Sequence, residues 1–234
     1  VEVPLPGELH RHYERVRDAH LRATGFDRTS KHAIFRMFLA LQQVLCGYEG
    51  VRSEGGDHGM QRLVTLRDNP KLQAMLREVQ AAPGPCLVWC KYRAELADAA
   101  VLLREALGPT QVCVLQGGMA RAEREAQLAR FRSGAVKVLI TNAATGGRSL
   151  NGLQVATTAI YLSNTFKNTD RVQSLGRITR QPRTGVPEVV DLVAVKPDGR
   201  PTIDAVIMRS IARKQDLLET LAEELEKEQP EQIT

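Results

Sequence analysis

The sequence predicts an α/β fold, a parallel sheet with helices on both faces, and three observations carry that prediction. From Pro85 onward, short runs rich in Val, Leu and Ile recur: "CLVWC" (86–90), "QVCVL" (111–115), "VKVLI" (136–140), "TTAIYL" (157–162) and "EVVDLVAV" (188–195). Each is apolar throughout instead of alternating, which is how strands buried on both faces read. Helical stretches lie between them, namely "YRAELADAAVLLREAL", "ARAEREAQLARFRSG" and the segment around "QSLGRITRQ". Strands alternating with helices fold through right-handed crossovers into a parallel sheet.

The remaining elements follow in chain order. "VEVPLP" reads as an extended lead-in and is followed by two helical stretches. The second, "TSKHAIFRMFLALQQVLCG", has Thr29 or Ser30 as its N-cap and Gly47 as its stop. The Gly- and charge-rich segment Tyr48 to Met60 is expected to be a loop. "DNPKLQAMLREVQ" restarts helix, with Asn69 as N-cap and Pro70 at the first helical position. "TIDAVIMRSIARKQDLLETLAEELEKEQ" closes the chain as a long helix with a solvated acidic end. Three parts are expected: a lead-in and helical extension over 1–70, an α/β core over 71–200, and a C-terminal helix over 201–234. No internal repeat or low-complexity tract is present.

Composition limits the function classes. A chain of 234 residues, 43% hydrophobic, buries one substantial core or one core plus a helical annex. Its apolar runs fall short of a membrane span, and no charged-then-apolar leader precedes them. A soluble cytoplasmic protein without a membrane partner is the expectation, and a start at Val1 reads as a cropped or processed piece of something longer. Cys46, Cys86, Cys90 and Cys113 lack C-x-x-C spacing and nearby His pairs, so they read as buried thiols and no metal site is expected. From Asp204 onward there are eight acidic and four basic residues, which leaves residues 1–203 at net +9. That body favours a polyanion. With aromatics at only 4%, contact with nucleic acid should run through phosphates and not through stacked bases.

In a parallel sheet, ligands sit beyond the carboxyl ends of the strands. Four loops lie there: Lys91-Tyr92, "QGGM" (116–119), "TNAATGGRSLNG" (141–152) and "SNTFKNTD" (163–170). Two carry Gly-Gly, which lets the backbone approach a bulky anion with unhindered N–H donors. On the helix that follows, Gln173, Arg177 and Arg180 are spaced i, i+4, i+7 and fall within about 60° of one another. Val172, Leu175 and Ile178 are expected on the opposite, inner side. Gly176 leaves room beside Arg177.

Taken together, "CLVWCKYRAE", "VLQGGMARAEREAQLARFRSG", "VLITNAATGGRSLNGLQVATTAIYLSNTF" and "RVQSLGRITR" resemble motifs IV, IVa, V and VI of superfamily 2 helicases. The likeness is to the Swi/Snf-like DNA translocase branch in its bacterial and phage forms. "VPLPGELHRHYERV" and "TIDAVIMRSIARKQDLL" also resemble the start and the closing helix of that branch's second lobe. The resemblance implies a RecA-like C-terminal lobe, partnered by an N-terminal RecA-like lobe of the same full-length protein and by DNA. It implies that Arg177 and Arg180 are arginine fingers and that Gln173 touches the γ-phosphate, its attacking water or the facing acidic motif. Gly146, Gly147 and Asn151 would lie between nucleotide and DNA. Thr141 and the turn Gly117, Gly118, Met119 would grip the DNA backbone, with Arg124 as a further basic contact. Ser149 stands where the family has a third glycine, and Pro182 and Arg183 stand where it has Gly and Gln.

No G-x-x-x-x-G-K-[ST] and no D-E-x-H or D-E-x-D occurs in the sequence. ATP and Mg2+ are therefore expected to be held mainly by the absent first lobe, and this chain alone should not hydrolyse ATP. A stand-alone DNA-binding or regulatory module and an RNA helicase lobe are the alternatives. A Rossmann-type enzyme fits poorly, because the first strand leads into "KYRAE" and not into a glycine-rich turn.

Overall fold

The computed structural model describes residues 1–23, 31–52, 58–142, 150–179 and 186–213. The chain divides into two units, one formed by Val1 with Leu66–Val193, the other by Glu2–Thr65 with the chain from Ala194 onward. The first two helices of the chain and the helix that follows the sheet thus belong to one unit.

In the first unit, α3 (Pro70–Ala81) starts as the sequence implies. The Asn69 side chain accepts from the N–H groups of Lys71 and Leu72 at 3.1 and 3.2 Å, and Pro70 occupies the first turn. Such a cap contributes about 1 kcal/mol. Five strands then form one sheet: β4 (Cys86–Cys90), β5 (Val112–Leu115), β6 (Val138–Asn142), β7 (Thr158–Tyr161) and β8 (Glu188–Asp191). Their order is β5-β6-β4-β7-β8, and all four pairings are parallel. Helices α4 (Arg93–Leu107), α5 (Arg121–Arg132) and α6 (Asn168–Ile178) provide crossovers. Because the strands are parallel, the carboxyl ends of β4, β5, β6 and β7 share one edge.

β4 is buried at every position, wedged between β6 and β7. One layer of the core gathers Leu87, Trp89, Leu115, Leu128, Phe131, Leu139, Leu153, Tyr161 and Ile178. Each fully buried Leu or Phe there contributes roughly 1.5–3 kcal/mol of transfer free energy. All four cysteines are buried thiols outside any disulfide. Burial pushes the Cys86 thiol up to about 11, so it does not ionise near neutral pH.

Three expectations about elements change. The run 188–195 is two strands, broken at Leu192: β8 joins the sheet, and β9 (Val193–Val195) pairs instead with β1 (Glu2–Pro4). β8 is also an edge strand with Glu188 and Val189 exposed, so burial on both faces holds for the centre of the sheet and not for this edge. Within the segment expected to be a loop, β2 (Tyr48–Arg52) and β3 (His58–Arg62) form an antiparallel pair running from Tyr48↔Arg62 to Arg52↔His58.

The second unit contains that pair, α1 (Gly7–Ala23), α2 (Lys31–Leu45) and α7 (Ile203–Arg213). Thr29 and Ser30, the expected caps of α2, lie outside the described residues. Gly47 follows α2 at φ +90°, a conformation that stops a helix and favours glycine. Glu14 on α1 pairs with Arg17 at 2.6 Å and Lys196 at 3.0 Å, and the His10 ring lies 3.4 Å away. The Tyr13 hydroxyl accepts from the Ile203 N–H at 3.0 Å, which fixes the start of α7. Among the described residues no helix is long and apolar enough to cross a membrane.

Candidate functional site

The carboxyl edge of the sheet is assembled by a short polar network. At the end of β4 the Lys91 N–H donates to Glu95 Oε2 at 3.0 Å and to Ser163 Oγ at 2.9 Å. The Ser163 hydroxyl in turn donates to Glu95 Oε2 at 2.6 Å, and the Asn142 side-chain amide donates to the Lys91 carbonyl. The loops after β4 and β7 are therefore bonded to one another through Glu95, a carboxylate buried on the first turn of α4, and the end of β6 joins them through Asn142 and the Lys91 carbonyl. The fourth loop joins through Arg93, whose guanidinium donates to the Gly117 carbonyl at 3.1 Å. Lys91 places its ammonium 3.1 Å from the centroid of the Phe166 ring and 5.1 Å from that of Tyr92. Arg93 and Lys167 are exposed on the same edge.

The sequence-derived candidates fall on this edge unequally. Gly118 sits at φ +85° with nothing within 4 Å of where a Cβ would be, so its backbone is open to a ligand. Gly117 is half-buried, and Met119 packs against the core cluster and anchors the turn. Arg124 is half-buried on the first turn of α5. Thr141 is wholly buried on β6, opposite Trp89. Gly146 and Gly147 lie outside the described residues.

Asn151 is exposed, and its carbonyl is held by Arg132 through Nε at 2.8 Å and Nη2 at 2.6 Å. The next residue, Gly152, has φ +86°, and a Cβ there would come within 2.4 Å of Arg132 Nε. Backbone geometry and the Arg132 side chain both demand glycine at that position.

α6 carries Gln173 and Arg177. Gln173 is exposed. Arg177 is half-buried and donates to the Leu150 carbonyl at 3.0 Å, which ties the helix to the loop after β6, one residue before Asn151. α6 ends at Ile178, with the Thr179 N–H donating to the Leu175 carbonyl. Arg180, Pro182 and Arg183 lie outside the described residues.

The inner face of α6 also differs from expectation. Val172 is 59% exposed, while Arg171, Ser174 and Ile178 are buried and Leu175 is partly buried. Arg171 donates to both oxygens of Asp191 on β8, at 2.6 and 2.8 Å, and to Asn164 Oδ1 at 2.8 Å. Asn164 Nδ2 donates to Asp191 at 2.8 Å and closes the triangle. The guanidinium carbon lies 3.5 Å from the Tyr161 ring centroid. The Tyr161 and Ser174 hydroxyls are 2.7 Å apart, and Ser174 donates to the Arg171 carbonyl at 2.8 Å. Burial pushes the Tyr161 phenol up to about 12, with Arg171 and the Ser174 bond pulling the other way. Sequence reasoning missed Arg171, Glu95 and Arg132, because each finds its partner in another loop or strand.

Residues 70–181 match the helicase conserved C-terminal domain family. The chain is similar to the Sulfolobus solfataricus SWI2/SNF2 ATPase core in complex with dsDNA, at 20% identity and TM-score 0.70 over 97% of this chain and 48% of that one. It is similar to the C-terminal domain of the Sulfolobus solfataricus SWI2/SNF2 ATPase at 18% identity and TM-score 0.63, over 97% and 95%. To the C-terminal part of the Fun30 ATPase domain the values are 15% identity and TM-score 0.52, over 70% and 56%. The chain thus spans about half of the Fun30 part and of the Sulfolobus core. Among curated proteins none matches.

Proposed function

We propose that this chain, whose residues 70–181 are a helicase conserved C-terminal domain and whose fold is that of a SWI2/SNF2 ATPase C-terminal domain, is the second motor lobe of a cytoplasmic ATP-dependent DNA translocase or helicase. The observation that carries the reading is the position of Arg177. Its helix follows the sheet's carboxyl edge, and its guanidinium reaches the backbone beside Asn151, so the motif V and motif VI segments lie together. An arginine there offsets charge on a transferring phosphoryl group, an effect worth ~10³–10⁵ in rate in other nucleotide hydrolases. In this reading Arg180 is a second finger, Gln173 orders the γ-phosphate or its water, and Gly146 and Gly147 complete the nucleotide side.

ATP fits this edge as a substrate shared with a first lobe, because the chain contributes cations and lacks a phosphate-cradling loop. In this reading the Mg2+ ligands come from that first lobe, since the sequence has no D-E-x-H or D-E-x-D to supply them. DNA is read through its phosphates by the turn at Gly117 and the open Gly118 backbone, with Arg124, Lys91, Arg93 and Lys167. The test is twofold. The full-length protein should hydrolyse ATP in a DNA-stimulated manner and these 234 residues alone should not. DNA binding should be indifferent to sequence and fall steeply with salt, since released counterions drive it. Turnover by the isolated chain, or tight salt-insensitive binding, defeats the reading.

A further inference from the structure

We infer that Arg171 is a positioning residue for this motor: with Asp191 and Asn164 it sets the rotation of α6 about its own axis, and through that rotation the direction of Gln173 and Arg177. The inference rests on the function proposed above. α6 has a thin apolar attachment, since Ile178 is its only fully buried hydrophobic residue, Leu175 is partly buried and Val172 faces outward. A stripe that narrow lets a helix roll. What opposes rolling is directional: the planar guanidinium meets both Asp191 oxygens, takes Asn164 as a third acceptor and lies on the Tyr161 ring. One turn further on, Ser174 bonds Tyr161 and returns to the Arg171 carbonyl.

Helical geometry places Gln173 about 160° and Arg177 about 120° around the axis from Arg171. A fork fastened on the inner side therefore aims the two functional side chains outward. Buried ion pairs are often no more stabilising than apolar isosteres, and their best-attested use is to fix one arrangement among several. Arg171 with Asp191 fits that use, because it joins the helix carrying the proposed chemistry to an exposed edge strand.

The experiment replaces the clamp by apolar side chains in the full-length protein, Arg171→Met with Asp191→Leu, and reads melting temperature, KM for ATP and DNA-stimulated kcat. We expect a melting temperature close to that of the parent, a KM within about twofold and a kcat lowered at least ~10-fold, the scale of a misaimed catalytic group. Arg171→Lys, which keeps the charge and loses the fork, should fall between. A folded double variant with parental kcat overturns the inference. Should the double variant fail to fold, Arg171→Lys decides, and parental kcat there overturns it equally. If the parent protein itself shows no DNA-stimulated ATPase, the proposed function fails separately. The clamp is then judged by amide hydrogen exchange: faster exchange confined to residues 168–178 in Arg171→Lys supports it, and unchanged exchange overturns it.

Discussion

Helices α4 and α6 both leave the carboxyl edge of the sheet, and they are held by opposite means. α4 buries Leu96, Ala99, Ala100, Leu102 and Leu103, and its first turn is pinned by Glu95. α6 buries Arg171, Ser174 and Ile178, two of them polar. Apolar burial is non-directional and adds stability in proportion to area, whereas a bidentate ion pair or a hydroxyl bond adds little net stability but specifies angle. α4 therefore serves the core, and α6 serves the aim of the groups on its outer side.

The comparison breaks most decisively at Arg177. In the full-length protein Arg177→Ala should lower kcat by at least ~10²-fold, the scale of losing one oriented charge at a phosphoryl-transfer transition state. Stability should drop by only about 1 kcal/mol, the worth of the bond to the Leu150 carbonyl. Steady-state ATPase and thermal melting on the same variant separate the two. Unchanged kcat would return Arg177 to a structural role.

α4 should show the reverse. Leu103 is fully buried, and Leu103→Ala should cost about 2–5 kcal/mol as transfer and cavity terms add. ATPase per folded molecule should hold, because no side chain of the site depends on the middle of α4. A kcat loss without a fall in the melting temperature would mean that the two helices are not divided in this way.

The same contrast explains what could be read from the chain. Strand runs at 86–90 and 136–140 and the capped helix after Asn69 were legible because burial and capping are written locally. The β2–β3 pair was not, since "YEGVRSEGGDHGMQR" carries few β-branched residues and its pairing is supplied across the hairpin. On α6 a search for apolar periodicity selects Val172, Leu175 and Ile178, while the true inner face is 171, 174, 175 and 178, at i, i+3, i+4, i+7. Leu175 and Ile178 were placed correctly, and Val172 was not, its place on the inner face being taken by Arg171 and Ser174. Arg171 turns inward because Asp191 waits for it twenty residues downstream, and no local pattern states that.

Two glycines extend the comparison to the loops. Gly118 needs positive φ but has open space, so Gly118→Ala should cost about 1–2 kcal/mol. Gly152 needs positive φ and lies against Arg132, which is itself bonded to Asn151, so Gly152→Ala should cost more, about 2–3 kcal/mol. Denaturant titration ranks them. Equal losses would mean that Arg132 yields freely and is not a clamp on the turn after β6.

The smallest effect lies in alkaline stability and isolates the ring beneath Arg171. The folded state raises the Tyr161 phenol from 10.0 to about 12, so between those values the native chain keeps a proton that the unfolded chain has lost. Its contribution is fully present below pH 10.0 and is lost as pH rises toward about 12. At about pH 11 the loss is about 1.4 kcal/mol. Tyr161→Phe keeps the ring under the guanidinium and removes both the titration and the bond to Ser174. At neutral pH the variant should be less stable by about 1 kcal/mol, and by about pH 11 the gap should close or reverse. Melting curves of parent and variant across that range decide the point: parallel pH dependence would show that Tyr161 ionises as freely folded as unfolded, and that the polar side of α6 is wetter than a clamp requires.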